Sequence, residues 1–148
     1  MSIISGTIDQ DGAAVDVLVG VSRLRRARLV SVGHSVPLEV PLRVQIDTGS
    51  CVTAFLPSVF LSLGIQHFRT IPIRTPSTRP KEAWEAKQYD VSVTLVSGMN
   101  RTTLPHVYAI ASDDFDPDEN IQGIIGRDIL AICSFEYHGQ HRNFRLFF

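Results

Sequence analysis

Cysteine is nearly absent. Only Cys51 and Cys133 occur among 148 residues, which excludes a disulfide framework, and neither sits in a Cys-x-x-Cys or Cys/His spacing that would hold zinc. A reducing interior follows as the expectation, so the chain is read as cytoplasmic, with no metal and no cofactor. An excess of charge of either sign is also missing, because 14 basic and 15 acidic side chains leave a net charge of -1. Such a balance supplies no field for nucleic acid or an anionic membrane, and neither is expected as a partner. No apolar run approaches the ~20 residues of a membrane-spanning helix. The first residues, Met1 to Ser5, have neither the basic nor the continuous apolar region of a cleaved leader. What the chain does have is a 44% hydrophobic content, enough over this length to bury the core of one domain.

The most informative stretch is Val44 to Ala54, V-Q-I-D-T-G-S-C-V-T-A. Apolar and β-branched residues lead up to Asp47, and the small, turn-prone Thr48, Gly49 and Ser50 follow, so a buried strand delivers a carboxylate into a tight loop. Desolvating a carboxylate is costly, and such a group is retained mainly where chemistry uses it. Thr48 and Ser50 bring hydroxyl donors, and Gly49 lets a backbone N-H approach closely. Far downstream stands a second motif, I-Q-G-I-I-G-R-D-I-L, Ile121 to Leu130.

The pairing of I-D-T-G with an aliphatic-aliphatic-Gly-Arg-Asp-aliphatic-Leu run resembles the signature of retropepsin-like aspartic proteases, and among them the bacterial single-lobe, gag-polyprotein type. Gln88-Tyr89-Asp90 falls where retroviral members carry a similar triplet, and the resemblance runs from Arg43 to Phe148. It implies an all-β fold, a single-lobe closed barrel with one or two short helices, assembled as a C2 homodimer. Two carboxylates are needed for aspartic proteolysis, and this chain has one D-T-G, so the resemblance implies one Asp47 from each subunit. It further implies catalytic roles for Asp47, Thr48 and Gly49. Substrate contacts fall to Ser50, to the flap residues Thr75, Pro76 and Ser77, and to Ile124 and Ile125. Arg127 and Asp128 take structural roles, and the partner is a peptide or protein in extended conformation.

Three departures from the retroviral pattern stand out. Cys51 occupies the place of the acid that usually pairs with the arginine of the second motif, leaving Arg127 in need of another anion such as Asp128. Ser50 replaces alanine, which predicts an acid-shifted pH optimum. The flap region, about residues 73–88, is proline-rich and carries no glycine at its tip. Cys51 and this flap keep open an alternative, a non-catalytic dimerisation or peptide-binding module of the same fold.

The remaining segments fit about ten strands. Ser2 to Ile8 and Ala13 to Val21 read as a hairpin across Gly12, with Val15, Val17, Val19 and Val21 on one face. Residues 1–40 exceed what a retroviral protease needs before its aspartate, and are open to three roles: a sheet extension, a propeptide-like segment or an interface element. Within them, Arg23, Arg25, Arg26 and Arg28 form a basic run read as solvated strand or loop. Pro57 to Gly64 reads as a helical turn with proline at its start and glycine at its end. Asp113, Asp114, Asp116, Asp118 and Glu119 crowd one loop without the glycine or distal glutamate of a calcium site. The apolar end, Phe144 to Phe148, calls for a covering partner.

Overall fold

The computed structural model describes residues 1–74 and 82–148. The flap positions Thr75, Pro76 and Ser77 therefore lie outside the described residues. The strands are β1 (Ile3–Asp9), β2 (Gly12–Val21), β3 (Val40–Ile46), β4 (Ala54–Phe55), β5 (Arg69–Ile73), β6 (Trp84–Ser97), β7 (Asn100–Ala111), β8 (Gly123–Ile125), β9 (Ser134–His138) and β10 (Asn143–Phe147). Between them lie three helices, α1 (Arg23–Ser31), α2 (Pro57–Ser62) and α3 (Arg127–Leu130).

Six strands close on themselves in the order β2-β3-β8-β4-β7-β6, the barrel being sealed by the β2–β6 pairing. The fold is all-β, a closed barrel with a few short helices. Strand β2 holds two edges at once, pairing antiparallel with β3 through Ala14–Val19 and with β6 through Asp16–Val21. The alternating valines of β2 explain this position: Val15, Val17, Val19 and Val21 are all buried, as are Val91, Val93 and Leu95 facing them from β6. Apolar side chains repeating every second residue must share one face of a strand, and that face becomes the barrel interior.

Helix α2 is docked on the barrel by Val59 and Phe60, both 1% exposed. It ends at Gly64, whose φ of +61° allows the chain to leave in the left-handed region. There Gly64 N-H donates to Leu61 C=O and Ile65 N-H to Phe60 C=O, which satisfies two carbonyls at the helix end. Phe60 stacks on Tyr89 of β6, with centroids 4.0 Å apart and planes at 12°. Burial pushes the Tyr89 phenol above its ordinary pKa.

Two expectations are corrected. The arginine run, read as strand or loop, is helix α1, and it takes in Leu29, Val30 and Ser31 as well. Ser22 caps it by accepting from Arg25 N-H, and the leucine, arginine and alanine residues after it are good helix formers with no glycine or proline among them. The second correction concerns the apolar C-terminus. Phe144 and Leu146 are fully buried within the same chain, because β10 lies between β1 and β9, pairing Ile4 with Leu146 and Phe135 with Leu146. The cover sought in a second molecule is supplied by the N-terminal strand.

Candidate active site

Strand β3 ends at Ile46, and its parallel neighbour β8 sits beside it with Ile46 opposite Ile125. One more ladder bond, from Asp47 N-H to Ile125 C=O at 2.9 Å, fixes the backbone of the aspartate at the point where the strand stops. The chain then turns back. Ser50 N-H donates to Asp47 C=O at 3.2 Å, and Gly49 N-H donates to Asp47 Oδ1 at 2.8 Å. A carboxylate oxygen receiving a backbone N-H two residues on is an Asx turn, so Asp47 organises the loop that carries it. Its other oxygen accepts no hydrogen bond among the described residues.

The loop is held from the far side by the second motif. Arg127 N-H donates to Ser50 C=O at 2.8 Å, at the first residue of α3. Asp128 accepts from Thr53 twice, its Oδ2 from Thr53 N-H at 3.0 Å and its Oδ1 from Thr53 Oγ1-H at 2.8 Å. Oδ1 also accepts from Ile129 N-H at 2.9 Å. Thr53 Oγ1 in turn accepts from Gly126 N-H at 3.1 Å. Gly126 must be glycine for room, because a Cβ there would lie 2.6 Å from the Val52 carbonyl carbon and oxygen. Thr53 is not among the residues that the sequence motifs single out; the one signal for it is a hydroxyl residue between Val52 and Ala54, three residues past Ser50, and the structure buries it fully.

Around Asp47 the surface forms a cleft of about 660 Å³. Gly49, Ser50, Ile124 and Arg127 line it together with Ile73, Arg74 and Trp84 from the two strand ends, β5 and β6, that border residues 75–81. Phe115 and Ile110 complete the apolar wall, and Asp114 stands in the same lining. Beneath it is a small apolar cluster separate from the main core, built on Val52, Ala54, Ala86 and Ile110. Trp84 is half-buried on this cluster and also faces the cleft.

The predicted residues thus divide. Asp47, Gly49, Ser50, Ile124 and Arg127 are brought together in the cleft, while Thr48 is exposed on the loop just beside it. Ile125 is fully buried in the barrel core and serves the site through its carbonyl alone, so its side chain does not line the cleft. Asp128 is committed to Thr53, and Arg127 forms no ion pair among the described residues. Cys51 is exposed. Among the described residues no cluster of three His, Cys, Asp or Glu is placed to hold a metal ion.

Gln88, the first residue of the Gln-Tyr-Asp triplet, is buried and fully engaged, accepting from Arg69 Nε-H at 2.6 Å and donating to Tyr108 C=O at 2.8 Å. It ties β5, β6 and β7 together.

The closed barrel, with one aspartate in an Asx turn and a Gly-Arg-Asp helix start clasping it from below, has the fold of a retropepsin-like protease of known structure. The chain is similar to a retropepsin-like aspartic protease from Rickettsia conorii, known from its crystal structure, with a TM-score of 0.55 and 16% sequence identity over 97% of this chain and 89% of that one. No protein-family model and no curated protein matches the chain by sequence.

Proposed function

We propose that the protein is an aspartic endopeptidase whose catalytic pair consists of Asp47 from each of two identical subunits. The observation that carries this reading is the Asp47 loop itself: a strand-end carboxylate with one oxygen held by Gly49 N-H and the other unclaimed, at the edge of a cleft with apolar walls. A single chain provides one such carboxylate. A twofold axis beside the exposed Thr48 would bring two of them together, and two carboxylates in contact share one proton because both cannot ionise at that distance. One then activates water as general base while the other donates to the scissile carbonyl.

An extended peptide fits this cleft as an added strand, its main chain meeting the loop backbone at Gly49 and its side chains alternating into the walls. Ile73, Trp84, Ile110, Phe115 and Ile124 favour apolar side chains on either side of the scissile bond.

The test is cleavage of a peptide library between pH 3 and 8 at several protein concentrations, with Asp47→Asn alongside and a statine-type transition-state analogue added. Activity that rises faster than linearly with concentration and vanishes with either treatment supports the dimeric protease. A folded, dimeric but silent protein would favour the alternative, a peptide-binding module of the same fold.

A further inference from the structure

A second groove lies away from Asp47, along α1. It encloses about 960 Å³ between Leu24, Arg25 and Arg28 on the helix and Ile65, Gln66 and Phe68 on the opposite wall. Helix α1 is unusual in two respects. It has no fully buried residue, and it carries Arg23, Arg25 and Arg26 towards its start and Arg28 in its last turn, with no acidic residue in the helix. Positive charge near a helix N-terminus opposes the macrodipole and weakens the helix. None of these four guanidinium groups forms an ion pair among the described residues. Four like charges crowded on one short helix, three of them at a cost to it, and without an ion pair among the described residues, are suited to an external anion.

The opposite wall narrows the kind of anion. Phe68 is half exposed, packs its ring 5.1 Å from that of Tyr108, and has the Arg69 guanidinium 5.3 Å from its centre. The single acid in the lining, Asp90, lies 3.3 Å from His106 Nδ1. The groove therefore joins two cations, one helical turn apart on one face of α1, to an apolar and aromatic floor. Carboxylates answer the first feature and hydrocarbon side chains the second.

We propose that this groove binds an acidic peptide segment, in which Asp or Glu side chains meet Arg25 and Arg28 while interspersed apolar side chains rest on Ile65 and Phe68. The site is distinct from the Asp47 cleft and does not depend on the chain being a protease. Nucleic acid fits less well, because the net charge of the chain is -1 and only two arginines, Arg25 and Arg28, line the groove.

The experiment is fluorescence anisotropy of a short labelled peptide rich in Glu, Leu and Phe, with the same peptide carrying Gln for Glu as control. The full chain is used with Asp47→Asn, so that cleavage in the other cleft cannot consume the probe. Binding of the acidic peptide, weakened about tenfold or more by the pair Arg25→Glu and Arg28→Glu and weakened by added salt, is the expected result. Arg23→Glu with Arg26→Glu, on positions that do not line the groove, should change it little. Glutamate suits the helix dipole at positions 23, 25 and 26 but opposes it at 28, in the last turn, so circular dichroism checks for each pair that the fold is kept. Equal binding of the Gln peptide, equal loss with the two pairs of substitutions, no binding at all, or tighter binding of single-stranded RNA than of the acidic peptide would each overturn the proposal.

Discussion

Thr53 and Asp128 meet through two hydrogen bonds, one from the threonine backbone and one from its hydroxyl, at 3.0 and 2.8 Å. They lie 75 positions apart in sequence, and their contact joins the strand leaving the aspartate loop to the start of α3. Thr53 is fully buried, so its hydroxyl has no water to replace a lost partner. Thr53→Val keeps shape but leaves Gly126 N-H unsatisfied and takes one donor from Asp128. It should destabilise the protein by about 1–3 kcal/mol, read as a lower urea midpoint. Asp128→Ala should cost at least as much, and a double mutant no worse than the poorer single one would show that the two act as a unit. Independent, additive losses would argue against the clasp.

At Gly126 the constraint is space. Its φ of -94° is open to any residue, but a Cβ would meet the Val52 backbone at 2.6 Å from two atoms and 2.9 Å from the nitrogen. Backbone cannot swing aside as a side-chain tip can. Gly126→Ala should therefore cost about 3 kcal/mol or more, at the upper end of overpacking effects. A thermal midpoint within a degree or two of the parent would contradict this.

The two thiols should differ in reactivity. Cys51 is exposed on the aspartate loop, whereas Cys133 is half-buried against the carbonyls of Ile129 and Leu130 and burial raises its pKa. The thiolate is the reactive form, so a disulfide reagent at pH 8 should modify Cys51 first and Cys133 slowly. Peptide mapping after brief labelling decides the order. If the enzyme reading holds, blocking Cys51 should also lower cleavage, since it shares the cleft lining with Asp47.

Tyr89 supplies a pH dependence. Its folded pKa lies above the ordinary value of 10.0 because burial disfavours the phenolate. The fold thus prefers the protonated form. The corresponding stability is complete below about pH 10, where both states are protonated, and is lost as pH rises through the raised folded value. Tyr89→Phe keeps the ring stack on Phe60 and removes the titration. The parent's urea midpoint should fall more steeply than the variant's between pH 9 and 11, and parallel curves would place the alkaline sensitivity elsewhere.

Much of this architecture was legible because its signals are local. The alternating valines of β2, the proline and glycine around α2, and the strand that delivers Asp47 each declare themselves within a few residues. The second motif was readable as well, since Gly123 to Leu130 combines a short strand with a helix start. Helix α1 is less legible, because a run of like charges suits a solvated loop as well as a helix and only the Ser22 cap and the helix-forming residues behind it tip the balance. The substrate residues assigned to the flap fall at 75–77, outside the described residues.

By itself, then, the sequence determined the strand alternation, the aspartate loop and the motif that accompanies it, since periodicity and turn chemistry are properties of neighbouring residues. Only the tertiary structure decided who meets whom. It gave Asp128 to Thr53 and not to Arg127, buried the apolar C-terminus beneath β1 instead of beneath a second molecule, and turned Ile125 inward while leaving Ile124 at the cleft. The reason is physical: each of these depends on strand order and register, and those are set by pairings between segments far apart in the chain, where burying apolar area and satisfying every buried donor must be solved together.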